Sequence, residues 1–196
     1  MSIVQTIKKI ILIGGSAGSV PLIFNIMSAL PARLKIPIII VLHRHNNVVS
    51  EFAALLKAHA KNICIMEPDD KQPLLAANIY LAPQNYHLLI EQDCTFSLDY
   101  SELVNYSRPS IDVTFESAAH VFGKGVTGIL LSGANGDGSA GMKKILEYGG
   151  EAWVQEPVTA EYPTMPQRAI ELNPLAQSMT PKNIVSLVSE QQLQNF

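Results

Sequence analysis

Apolar positions along this chain fall into two alternating patterns: short continuous runs closed by glycine or polar groups, and longer stretches where apolar residues return every three or four positions. Continuous runs read as buried strands and the second pattern as amphipathic helices. Strands are expected at Lys8–Ile13, Pro37–Leu42, Ile63–Met66, Ile79–Ala82, Gly125–Leu131 and Glu151–Gln155. Helices are expected at Val20–Leu30, at Ser50–Ala60 with Ser50 as a cap, and at Ile111–Phe122, Ser139–Tyr148 and Pro181–Gln192. His87–Ile90 and Thr95–Leu98 form a hairpin pattern across Glu91-Gln92-Asp93. Such alternation predicts an α/β fold: a doubly wound, mostly parallel sheet with helices on both faces and a small antiparallel hairpin. With no linker, repeat or low-complexity tract, residues 1–196 are expected to form a single domain.

Composition sharpens this picture. Charged residues make up 16% of the chain, below the roughly 25% usual for globular domains, as expected if long strands are buried on both faces. The net charge is −3 and no basic cluster occurs, which argues against a nucleic-acid partner. No apolar stretch approaches the ~18–20 residues that span a bilayer, and the amino end lacks a signal-peptide pattern. A cytoplasmic protein without membrane insertion is therefore expected. Cys64 and Cys94 have no metal-type spacing and are expected to be two buried thiols.

Three strand ends carry chemistry. The first strand breaks into Gly14-Gly15-Ser16-Ala17-Gly18, which places a hydroxyl between small residues at the start of a helix. This is the literal G-x-S-x-G spacing of a nucleophile elbow, although serine also favours helix starts for structural reasons. The second strand ends in His43-Arg44-His45, so that His43 is a candidate general base. His45, two positions on, is expected to point elsewhere. The strand ending at Leu131 runs into Ser132-Gly133-Ala134-Asn135-Gly136-Asp137-Gly138 and offers Asp137 as the carboxylate that would orient a histidine. Asp137 could instead cap the following helix, and the loop has too few alternating acidic residues for an EF-hand. The order Ser…His…Asp differs from the Ser…Asp…His of α/β-hydrolases. His59 and His120 read as ordinary helix residues.

The chain resembles the catalytic domain of the chemotaxis protein-glutamate methylesterases (CheB type) over roughly residues 8–190. Ile13-Gly14-Gly15-Ser16-Ala17-Gly18 is similar to that family's I-G-A-S-T-G-G turn, and Val41-Leu42-His43 to its strand ending in Q-H. Tyr80-Leu81-Ala82-Pro83 with His87 resembles Y-I-A-P…H, and Arg108-Pro109-Ser110-Ile111-Asp112 resembles R-P-S-V-D. Leu131 to Met142 resembles L-T-G-M-G-x-D-G-A-x-G-M, and Met165-Pro166 with Ala169 resembles M-P-x-x-A. The resemblance implies Ser16 as nucleophile, His43 as base and acid, Asp137 as orienting carboxylate, and the backbone N–H groups of Ala17 and Ala134 as oxyanion hole. It implies hydrolysis of glutamyl methyl esters on the cytoplasmic region of methylated chemoreceptors, deamidation of selected glutamines, and no metal or cofactor. The family often carries an amino-terminal receiver domain. Strand one starts near residue 8, so a stand-alone catalytic form is expected.

This sequence departs from the pattern at Ala17 (threonine in the family), Ser19 (glycine), Ala134 (methionine) and Arg44-His45-Asn46-Asn47 (a proline-bearing segment). Two other readings stand beside the esterase. One is a non-catalytic module that binds a receptor or a phosphate-bearing ligand at the glycine turn, although Ser16 breaks the G-x-G-x-x-G spacing and no acidic residue ends the second strand. The other is a degenerate esterase that still docks on receptors.

Overall fold

A computed structural model describes residues 7–44, 51–60 and 63–193. Seven parallel strands form one sheet: β1 (Ile10–Gly15), β2 (Ile38–Leu42), β3 (Cys64–Met66), β4 (Asn78–Leu81), β7 (Val126–Leu130), β8 (Glu151–Gln155) and β9 (Gln177–Met179). Their spatial order is β3-β4-β2-β1-β7-β8-β9, and β5 (His87–Ile90) pairs antiparallel with β6 (Phe96–Asp99) as a separate hairpin. The chain winds outward from β1 in one direction through β2 and then in the other through β7. The crevice above β2, β1 and β7 is thus the topological switch point, where sheets of this type hold their ligands.

Strand alternation splits the core in two. Ile11 and Ile13 of β1, with Ile38, Ile40 and Leu42 of β2, pack against α1 (Val20–Ala29), α2 (Phe52–His59) and α6 (Pro181–Leu193). Ile10, Leu12, Ile39 and Val41 face the other way, onto α3 (Ile111–Phe122), α4 (Ser139–Glu147), α5 (Thr164–Leu172) and the hairpin. All residues of β1, β2 and β7 are buried, as the unbroken apolar runs require.

The expected strands and helices lie within a few residues of their observed bounds, but two elements escaped the pattern. α5 begins with proline in its first turn, where the missing N–H breaks no helical bond. β9 is a three-residue edge strand with no fully buried position. One expectation is corrected: both cysteines are free, yet Cys64 is exposed, because β3 is an outer strand of the sheet, and Cys94, in the turn between β5 and β6, is only partly buried. The expected cap Ser50 lies outside the described residues.

α3 and α4 approach closely through Gly141, whose added Cβ would sit 2.6 Å from the Phe115 Cβ and 3.1 Å from the Asp112 Cα. Neither atom can swing aside, so Gly141→Ala is expected to destabilise the fold by about 1–3 kcal/mol. Urea denaturation of the purified variant checks this.

Candidate active site

Backbone pairing ties the three chemistry-bearing strand ends together. The His43 N–H donates to the Gly15 carbonyl at 3.2 Å, the Ser16 N–H to the Ser132 carbonyl at 2.9 Å, and the Leu131 N–H to the Gly14 carbonyl at 2.9 Å. Ser16 and His43 therefore leave neighbouring strands at one level, and the loop bearing Asp137 leaves the strand on the other side of β1.

Ser16 sits in the turn before α1, not at its cap. The cap position is Ser19, a buried residue whose hydroxyl donates to the Ser16 carbonyl at 2.6 Å. A Cβ on Gly15 would collide with Ser19 Oγ at 2.6 Å, and Gly18 has φ +77°, so glycine is required on both sides of Ser16. Ser132 braces the same turn: its hydroxyl donates to the Ala17 carbonyl at 2.8 Å and accepts from the Tyr162 N–H at 3.0 Å. Its own N–H donates to Gln155 Oε1 at 3.0 Å. Ala17 and Ala134 are exposed, and their N–H groups donate to no protein acceptor among the described residues.

Asp137 is fully buried. It does not cap α4, whose cap is Gly138 at φ 93°. Instead its carboxylate lies at the amino end of α3. Oδ2 accepts from the Ile111 N–H at 2.7 Å and from His43 Nε2 at 2.8 Å. Oδ1 accepts from Ser110 Oγ at 2.8 Å, Asn105 Nδ2 at 3.0 Å and the Asp112 N–H at 3.2 Å. Burial alone would raise the Asp137 pKa, but hydrogen bonds from His43, Asn105, Ile111 and Ser110 outweigh it and hold the carboxyl below its ordinary range. A carboxylate only accepts, so in the neutral form of His43 the proton sits on Nε2 and Nδ1 carries the lone pair. Ser107 Oγ lies 3.3 Å from that Nδ1.

Asp112 stands beside this centre. Asn105 Nδ2 bridges the two carboxylates, reaching Asp112 Oδ2 at 2.8 Å, and the Gly141 N–H donates to Asp112 Oδ1 at 2.7 Å. Burial is the main cause that pushes the Asp112 carboxyl up to about 6, with the nearby charge of Asp137 adding to it.

Behind the site, buried His87 accepts the Ser110 N–H on Nδ1 at 3.1 Å and donates from Nε2 to the Glu102 carbonyl at 2.9 Å. His87, Asn105, Ser107, Ser110 and Ser132 have no expected role of their own, although His87, Ser110 and Ser132 fall inside the Tyr80–His87, Arg108–Asp112 and Leu131–Met142 motifs. His45, Asn46 and Asn47 lie outside the described residues. His59 stacks on Phe24 with ring centroids 4.1 Å apart, and His120 Nδ1 meets the Glu116 carbonyl at 2.8 Å, so both serve their own helix surroundings. Among the described residues, no three His, Cys, Asp or Glu side chains cluster as a metal site, and no helix is long and apolar enough to cross a membrane.

Comparison with known proteins places the chain by family and fold. Residues 11–188 match the family model described as CheB methylesterase. A Leptospira interrogans protein, provisionally assigned protein-glutamate methylesterase and protein-glutamine glutaminase activity, is 47% identical over 161 residues, or 82% of this chain and 83% of its own. The protein-glutamate methylesterase/protein-glutamine glutaminase of Hydrogenovibrio crunogenus is 30% identical over 189 residues, covering 93% of this chain and 50% of that protein. The crystal structure of the Thermotoga maritima CheB methylesterase catalytic domain superposes with a TM-score of 0.85 at 26% identity, covering 93% of this chain and 98% of that one.

The Asp112 carboxyl yields a pH prediction. Its folded pKa lies above the unfolded value, so the contribution of this group to stability is lost as pH rises from about 4 through about 6. Relative to wild type, Asp112→Asn should gain about 2 kcal/mol between pH 4 and pH 7. Paired urea titrations at the two pH values measure that difference, and groups common to both proteins largely cancel.

Proposed function

The chain belongs to the CheB methylesterase family, and from that premise we propose that it hydrolyses glutamyl methyl esters on methylated chemoreceptors through Ser16, His43 and Asp137. The carrying observation is the adjacency of three strand ends at the switch point, with His43 Nε2 held 2.8 Å from the buried Asp137 carboxylate.

Acylation begins when Ser16 Oγ attacks the ester carbonyl carbon while His43 Nδ1 accepts the hydroxyl proton. The negative charge that forms on the carbonyl oxygen is met by the N–H groups of Ala17 and Ala134, which have no protein acceptor among the described residues. Backbone donors do not depend on side-chain identity, so alanine at both positions is compatible with this role. Asp137 fixes the tautomer of neutral His43 and steadies the imidazolium that forms. His43 then gives its proton to the departing methoxide, and methanol leaves. Water, deprotonated by the same nitrogen, cleaves the acyl-enzyme to release the glutamate carboxylate and restore Ser16. The same steps on a glutamine side chain release ammonia, which accounts for a paired glutaminase activity. The active site works on the cytoplasmic part of the receptor.

Ser16→Ala should lower methanol release from methylated chemoreceptor membranes by at least about 10³-fold, with an unchanged circular dichroism spectrum. Turnover near wild type in the folded variant would rule out Ser16 as nucleophile.

A further inference from the structure

His43 has one basic lone pair, and two hydroxyls have a claim on it. Nε2 is committed to Asp137 at 2.8 Å, so only Nδ1 can take a proton from a nucleophile. That nitrogen is 3.3 Å from Ser107 Oγ, whereas Ser16 Oγ has no hydrogen-bond partner among the described residues. With Nδ1 unprotonated, Ser107 is the donor.

Ser107 is held firmly in this position. It closes a tight turn in which the Val104 N–H donates to the Ser107 carbonyl at 3.2 Å and the Ser107 N–H to the Val104 carbonyl at 3.0 Å. Asn105 and Tyr106 between them have φ 52° and φ 62°, the left-handed pair such a turn demands. The Asn105 amide anchors the turn to Asp137 and Asp112, and Asn135 Nδ2 donates to the Asn105 carbonyl at 3.4 Å. The following residue, Arg108, donates to the Tyr100 carbonyl at 3.1 Å and lies 3.8 Å over the Tyr100 ring. One turn thus grips the His–Asp pair at both ends: Asn105 on the carboxylate and Ser107 on the base.

We propose that Ser107 is a positioning residue that holds the His43 lone pair in the substrate-free enzyme, so that acylation starts with transfer of the Nδ1 hydrogen bond from Ser107 to Ser16. This rests on the assignment of Ser16 and His43 above. In free enzyme the Ser107 bond lowers the fraction of His43 ready to activate Ser16. Once substrate brings Ser16 and His43 into register, Ser107 has no further part in the chemistry.

A fluorophosphonate probe reads the free enzyme directly. Ser16 Oγ attacks phosphorus, fluoride leaves, and the hydroxyl proton passes to His43. If Ser107 competes with the strength of an ordinary hydrogen bond, Ser107→Ala should be labelled roughly two- to tenfold faster than wild type. Ser107→Thr, which keeps the hydroxyl, should label at the wild-type rate. Ser107→Cys, of similar volume but a weak donor, should be accelerated and serves if the alanine variant does not fold. kcat on saturating methylated receptor should change less than the labelling rate, because that state has already exchanged partners. Folded Ser107→Ala labelled at or below the wild-type rate, while Ser16→Ala is not labelled, overturns the proposal alone. Labelling of Ser16→Ala at the wild-type rate, or a label found on Ser107, overturns the nucleophile assignment and the proposal together.

Discussion

A carboxylate removed from water must find its solvation inside the protein, and Asp137 finds it at the amino end of α3. Two backbone N–H groups that no helical carbonyl can use, the Ser110 hydroxyl, the Asn105 amide and the His43 ring all donate to it. Without them the burial would favour the neutral acid, which would no longer bear the charge that steadies a protonated His43. Much of the surrounding structure serves this anion. Ser110 stands at the start of α3 but spends its hydroxyl on Asp137 rather than on the helix. His87 ties the Ser110 N–H to the loop that carries Asn105 and Ser107. Gly141 lets α4 come close enough for its N–H to reach Asp112.

The parallel sheet contributes the complementary half. Winding outward from β1 in both directions leaves β2, β1 and β7 side by side with their carboxyl ends level. Ser16, His43 and Asp137 lie far apart in sequence, but each needs only a short segment beyond its strand to reach the common crevice. Rigid strands deliver Ser16 and His43, while the loop after β7 crosses to the amino end of α3. The arrangement is therefore split: the sheet places Ser16 and His43, and a helix end stabilises the Asp137 charge that holds His43.

Most of the fold was legible because the central strands are buried on both faces. Ile10–Ile13 and Ile38–Leu42 could not be uninterrupted apolar runs on a half-exposed sheet. α5 was hidden because prolines punctuate its start and its buried stripe is only Met165, Pro166 and Ala169. β9 was hidden because a three-residue edge strand needs no apolar pattern. Cys64 was misread because thiol burial depends on which strand ends up at the sheet edge, and composition does not encode that.

Local chemistry by itself determined that Ser16 would lie in a glycine-flanked turn, that His43 would end a buried strand, and that Asp137 would lie in a flexible-residue loop before a helix. These follow from short-range rules: glycine permits positive φ, continuous apolar runs form buried strands, and strand ends face the crevice. Only the tertiary structure decided which ring nitrogen of His43 faces Asp137, which groups solvate Asp137, and that the Ser107 hydroxyl reaches the other nitrogen. Those outcomes depend on side chains separated by 64 and 94 residues of chain meeting within hydrogen-bond distance. No local pattern carries such a contact, because packing of α3 and its preceding loop against the sheet sets the distance.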